Sequence, residues 1–265
     1  ERFVEFYENW YTPNRMAVIA VGDLEVAELE EMIKARFADM PFREKRTAPE
    51  IGPISNRGLA AHYHYEEESG ETEVSIEALL PRINPADNTE RRFADLQRLI
   101  ASHILSRRLE RIAKQADAPI NSGMASIRDF FDLGFAVSLS ISATCKPDQW
   151  AEALGLIERE LRTAIEFGFT DGELAEAKAM IARHFEDAAK QMATRKSSDL
   201  ANRIAERIGS RRIFTNPADD LVRLENSLAK ITPESAHLAL QSLWENAQET
   251  LIFASGNAAI KDPDS

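Results

Sequence analysis

Gly134-Phe135-Ala136-Val137-Ser138-Leu139-Ser140-Ile141-Ser142-Ala143-Thr144 is the stretch that decides the fold. Phe135, Val137, Leu139 and Ile141 alternate with Ala136, Ser138, Ser140 and Ser142. Successive side chains of a strand point to opposite faces. The alternation therefore predicts a strand with one face in a core and one small, polar face outward. Directly after it the period changes. Trp150, Leu154, Ile157, Leu161 and Ile165 recur at helical spacing and form the apolar stripe of an amphipathic helix. A half-buried strand followed by a helix able to cover it is the building unit of a sheet backed by helices.

Working outward, residues 119–127 read as a further strand, and residues 59–66 and 73–80 as two more, with Ser69-Gly70 supplying the turn between them. Asp87 with Glu90 three residues later has the form of a capping box. It opens a helix carrying Phe93, Leu96, Ile100, Ile104, Leu105, Leu109 and Ile112. Gly168 suits the exit of the Trp150 helix, and Thr170 with Glu173 caps a long helix to about residue 192. Helices are expected at 197–209, 218–229 and 233–246, the last two announced by Asn216-Pro217 and Thr232-Pro233. Thr250 to Ala254 is a closing strand. The order is not a regular alternation of strand and helix. It predicts an α+β fold, an antiparallel sheet backed by helices.

Towards the start, Phe3, Phe6, Tyr7 and Trp10 recur at helical spacing, and Pro13 disfavours helix at Thr12. Met16 to Val21 is a continuous apolar run of strand length. Asp23 is the expected N-cap of a helix carrying Val26, Leu29, Ile33 and Phe37. Proline, glycine and mixed charge then break the pattern. The expected organisation is a first unit at 1–40, a linker at 41–58, a larger α/β unit at 59–256 and a tail at 257–265. A chain opening with Glu1 inside a helix, and without a charged segment leading into an apolar run, is expected to be a piece of a longer protein.

Composition narrows the function classes. The 265 residues hold 44% hydrophobic and 29% charged residues, and no run approaches the ~20 apolar residues of a membrane span. The net charge of −12 argues against a nucleic-acid partner, which needs a basic footprint. The single cysteine, Cys145, excludes an intrachain disulfide and a thiolate zinc cluster. The sequence contains no G-x-S-x-G, phosphate loop, dinucleotide fingerprint, H-E-x-x-H or H-x-x-E-H.

Two local features have competing readings. His62, His64 and Glu66 share one face of a strand. They read as a zinc site with an open position, or as an exposed polar face with Tyr63 and Tyr65 turned to the core. The basic stretches 90–115 and 195–212 stand out from an acidic chain. They read as the lining of a cavity for acidic peptides, or as solvated helix faces paired with neighbouring acids.

One segment is more specific. Phe6-Tyr7-x-x-Trp10-Tyr11-x-Pro13-Asn14-x-Met16-x-Val18-x-x-Val21-Gly22-Asp23 resembles the pitrilysin–insulinase family of zinc metallopeptidases, where this unit closes the first α/β domain. Ala118-Pro119, Asp129-Phe130-Phe131, Phe167-Gly168-Phe169-Thr170 with Glu173-Leu174, and Arg195-Lys196-Ser197-Ser198 with Leu200-Ala201 follow in the order of the family's bacterial branch. The resemblance implies proteolysis by a zinc-bound water. The zinc ligands and general base of H-x-x-E-H have no match in this sequence, so no catalytic or metal residue is assigned. It implies that residues 1–40 end the catalytic domain and that 59–256 form the noncatalytic domain that walls a chamber. A substrate-binding strand edge falls on Ile120, Asn121, Ser122, Gly123, Met124 and Ala125, with a bulged strand as the plain alternative. The implied partners are a peptide or unfolded protein substrate, the missing catalytic domain, and the second half of the parent or a partner subunit. The implied compartment is the bacterial periplasm, with the cytoplasm as the other possibility. A noncatalytic scaffold or partner subunit of the same family is the alternative role.

Overall fold

The computed structural model describes residues 2–44, 46–47, 58–81, 86–129 and 136–260. Most of the expected linker, Phe130-Phe131, Phe135 and the end of the expected tail lie outside the described residues. In chain order the elements are α1 (Arg2–Trp10), α2 (Val26–Phe37), β1 (Gly58–Tyr65), β2 (Thr72–Pro81), α3 (Thr89–Ala113), β3 (Ser122–Asp129), β4 (Ala136–Cys145), α4 (Trp150–Phe167), α5 (Asp171–Lys190), α6 (Ser197–Gly209), α7 (Pro217–Leu228), α8 (Pro233–Glu245) and β5 (Glu249–Gly256). They fall into two compact units. One comprises residues 1–51 and 191–214, the other residues 52–190 and 215–265.

The larger unit is an α+β layer pair, as the alternation of β4 requires. Its five strands run in the order β1-β5-β2-β4-β3. β2, β4, β3 and β5 are mutually antiparallel where they pair, but β5 lies parallel to β1. The sheet is therefore mixed, and the turn at Ser69-Gly70 does not close a hairpin: β5 is inserted between β1 and β2. Local turn chemistry reports where the chain reverses, not which strand enters the gap.

Val74, Ile76 and Ala78 of β2 and Leu139, Ile141 and Ala143 of β4 face one side. They form one core with Ile100, Ile104, Leu105 and Leu109 of α3, Ile157 and Leu161 of α4, and Leu240 of α8. Burying these side chains away from water is the main force that holds the two layers together. The register places Ser255, Glu73, Thr144 and Ser122 in one row of the opposite face, and Phe253, Ser75, Ser142 and Met124 in the next. The small polar face is open from Ser140 onward, while Ala136 and Ser138 at the start of β4 are fully buried.

The helix ends explain themselves locally. Gly168 ends α4 with φ 74°, a left-handed value that glycine takes without a Cβ penalty. Thr170 and Glu173 form the expected capping box: the Glu173 carboxylate accepts from Thr170 N–H at 2.9 Å, and Glu173 N–H donates to Thr170 Oγ1 at 3.3 Å. Thr232 and Ser235 exchange the same pair of bonds at the start of α8. At α3 the expectation is corrected. Asn88, not Asp87, is the N-cap and accepts from Arg91 N–H, while Asp87 accepts from Arg92 Nε at 2.9 Å. With Asn88 occupying the cap, Asp87 sits one residue outside the helix and holds Arg92 instead.

The smaller unit holds α1, α2 and α6. None of the three buries a residue fully. Its joints are polar: Arg15 stacks over the Trp10 ring at 4.6 Å, Arg43 Nη1 donates to Glu8 C=O at 2.8 Å, and Asn14 Nδ2 donates to Arg43 C=O at 3.1 Å. Two expectations are corrected here. Met16–Val21 forms no strand, because it shares no ladder with any described strand. A strand exists only through the ladder it shares. Asp23 is not a cap, since α2 starts at Val26 with Glu25 before it and no side-chain cap bond.

Candidate functional site: a groove at the edge of the sheet

β3 is an edge strand: among the described strands its ladder is shared with β4 alone. Its entry is irregular. Asn121 N–H donates to Thr144 C=O at 2.7 Å, yet Ser122 is already the residue opposite Thr144. Two residues of one strand thus face one of the next, which bends the chain as a bulge does. A groove of about 470 Å³ opens at this bend. Its walls are Asn121 to Met124 of the β3 segment, Ser142 to Thr144 of β4, Glu73 of β2, and Glu110, Ala113 and Lys114 at the end of α3.

The six residues read from the sequence divide here. Asn121, Ser122, Gly123 and Met124 line the groove, and Met124 is 50% exposed. Ile120 and Ala125 are buried in the core. Ser122 Oγ lies 2.9 Å from Thr144 Oγ1. Gly123 is constrained from the helix side. A Cβ there would stand 2.9 Å from Leu109 Cβ and 3.3 Å from Ser142 O, so glycine is what lets α3 lie this close to β3. Ser106 of α3 does something the sequence did not announce: its Oγ accepts from Ala125 N–H at 2.9 Å and donates to Ala125 C=O at 3.0 Å. Lys114 belongs to the basic stretch 90–115, one reading of which is the lining of a cavity, and it lines the groove. Glu110 was missed, and the available signal was its position near the end of a helix whose apolar stripe faces the sheet.

Charge around the groove is mixed. Glu110 is paired with Arg107. Cys145, the last residue of β4, is buried with its Sγ 3.6 Å from Thr72 C=O. Burial, followed by Asp148, Glu152 and Glu71, pushes its thiol up to about 11, so it is held as an inert thiol.

Part of the basic stretch of α3 is met by α5, and Arg91, Arg92 and Arg98 are paired with Asp95, Asp87 and Asp220. Arg107 and Arg111 both reach Glu176, and Arg108 Nε donates to Glu173 at 2.6 Å. Arg108 Nη2 also donates to Gly168 C=O at 2.9 Å, which ties three of the motif residues Gly168, Thr170 and Glu173 into one network. In the other basic stretch, Arg203 and Arg207 are exposed. His62 and His64 are exposed on edge strand β1, Tyr63 packs against the core and donates to Ala258 C=O, and Tyr65 is exposed rather than core-facing. Among the described residues no group of three or more His, Cys, Asp or Glu side chains could hold a metal ion. These residues do not fit a zinc centre.

Residues 1–181 match the family described as the peptidase M16 inactive domain. The chain belongs to that family. It is 26% identical over 251 residues to the probable zinc protease PqqL of Escherichia coli, covering 91% of this chain and 26% of that protein. The chain therefore spans about a quarter of the length of this curated relative. The structure of the first half of the periplasmic protease PqqL superposes with a TM-score of 0.83 at 20% identity, over 97% of this chain and 54% of that one. A protein described as a predicted insulinase family protease from Yersinia pestis gives a TM-score of 0.77 at 14% identity, over 98% of this chain and 56% of that one. The chain thus shares the α+β fold of these pitrilysin-like structures. No helix among the described residues is long and apolar enough to cross a membrane.

Proposed function

We propose that this chain is a noncatalytic part of a zinc-dependent metalloendopeptidase, that it forms part of the chamber wall, and that it holds substrate along the outer edge of β3. The observation that carries the reading is the coincidence of the groove with Asn121–Met124, on a strand that pairs on one side only, in a chain of the M16 inactive-domain family. An edge strand offers a row of backbone donors and acceptors, and an extended peptide added to it gains main-chain hydrogen bonds while alternate side chains enter the groove. In this reading residues 1–40 end the catalytic domain, 41–58 link, 59–256 form the noncatalytic domain and 257–265 are a tail. The zinc and its H-x-x-E-H ligands belong to the rest of the parent protein, and the partners are unfolded protein substrate and the parent's remaining domains or a partner subunit. The name of the relative, a periplasmic protease, supports the periplasm as compartment.

Hydrogen–deuterium exchange of the chain with and without reduced, carboxymethylated α-lactalbumin, a permanently unfolded protein, tests the reading. Slower exchange across residues 119–127 in the presence of this probe is the expected result. Unchanged exchange in that segment would end the strand-edge site.

A further inference from the structure

We infer that Ser106 is a register stop: it confines an added peptide strand to the groove end of β3 and prevents it from running on along the edge. This inference rests on the strand-edge reading above and adds to it where the peptide ends.

Period-two geometry sets up the argument. Ala125 lies opposite Ile141 of β4, but its N–H and C=O both bond to Ser106 Oγ. Those two groups therefore point away from β4, to the outer side of the sheet. Residues two apart on a strand present their backbone groups to the same side. Gly123 and Ile127 accordingly also direct their N–H and C=O outward. The outer edge of β3 thus offers three successive rungs to an incoming strand, at Gly123, Ala125 and Ile127, and α3 already fills the middle one.

One hydroxyl satisfying both a donor and an acceptor is what a buried backbone pair requires. Ala125 is only 6% exposed, and leaving its N–H and C=O unbonded there would be costly. The same hydroxyl denies those groups to a ligand. The rung at Gly123 stands apart. It borders the groove, and among the described residues no side chain bonds to its backbone. A peptide can therefore form its pair of main-chain bonds at Gly123 and then meets Ser106 and the body of α3. The ligand this arrangement selects is an extended segment that enters the groove and turns away, not a strand that adds along the whole edge. Ser106 is a positioning residue in this scheme, acting through the Ala125 backbone.

Residue-resolved amide exchange by NMR on the whole chain, with and without reduced, carboxymethylated α-lactalbumin, tests the stop. In the wild type the probe is expected to slow the Gly123 amide by about tenfold or more, the effect of one added hydrogen bond, and to leave Ala125 and Ile127 unchanged. In Ser106→Ala the Ala125 amide is expected to exchange faster without the probe, and the probe is then expected to slow Gly123, Ala125 and Ile127 together. Ser106→Thr, which keeps a hydroxyl, is expected to restore the short footprint. A wild-type footprint that already reaches Ile127 would overturn the stop, as would a Ser106→Ala footprint identical to the wild type's. The wild-type arm decides the matter alone if Ser106→Ala fails to fold. No slowing at Gly123 in any variant is a different failure, since it removes the strand-edge site itself.

Discussion

Glu173 is the residue on which the second half of the fold turns. Its carboxylate caps α5 through Thr170 and receives the Arg108 guanidinium, which also binds the carbonyl of Gly168 at the end of α4. Burial alone would push this carboxyl up, but the Arg108 and Thr170 hydrogen bonds outweigh it and hold it at about 2, below the ordinary 4.5. A depressed carboxylate contributes stability that is complete above its unfolded value and disappears as pH falls through its folded value. The melting temperature is therefore expected to drop between about pH 4.5 and pH 2, and Glu173→Gln is expected to flatten that part of the profile. At neutral pH the same substitution should cost about 1–3 kcal/mol in urea unfolding, because Arg108 and the helix start both lose their anion. An unchanged acid profile in Glu173→Gln would show that other carboxylates dominate. The Thr170–Glu173 box was legible in the sequence because a capping box is a contact between neighbours in the chain. The Ser106 bridge was not: its partner, Ala125, lies across a strand turn, and a serine in a helical stripe carries no mark of which backbone it will meet.

Among the elements, α3 shows most clearly how charge and packing divide the work. Its apolar side, with Ile100, Ile104, Leu105 and Leu109 almost entirely out of water, is fixed to the sheet, whereas Arg107 and Arg111 reach Glu176 across partly exposed surface. Burial of four large aliphatic side chains far exceeds what solvent-exposed ion pairs supply. Arg107→Ala is thus expected to leave the midpoint of chemical denaturation nearly unchanged, and whatever loss there is should shrink further in high salt. A large drop in the midpoint would mean that the arginine stem itself packs in the core. The helix positions and the β4 alternation were legible because each element repeats its own period. The mixed sheet was not, since the entry of β5 between β1 and β2 depends on pairing across the whole larger unit. Met16–Val21 fails in the opposite way: its apolar run has strand propensity, but propensity supplies no hydrogen-bond neighbour.

For the molecule as a whole, the absence of H-x-x-E-H from the sequence and of a metal-holding cluster among the described residues bears directly on activity. The purified chain is expected to release no peptides from reduced, carboxymethylated α-lactalbumin, with or without added zinc, when products are followed by mass spectrometry. Zinc-dependent cleavage by this polypeptide, lost on His64→Ala, would instead place the metal on β1. Were the chain part of a longer protein, an intact H-x-x-E-H there would mark a peptidase and a degenerate one a scaffold.

The placement of β5 also governs the order in which the molecule can be made. Among the described residues, 58–65 find their ladder partner in residues 249–256 alone, and β2 takes the same strand on its other side. While the ribosome is still adding the intervening helices, β1 lacks that partner and β2 presents a bare flank. The nascent chain must keep these strands from sticking to other chains until β5 slides into the slot between them.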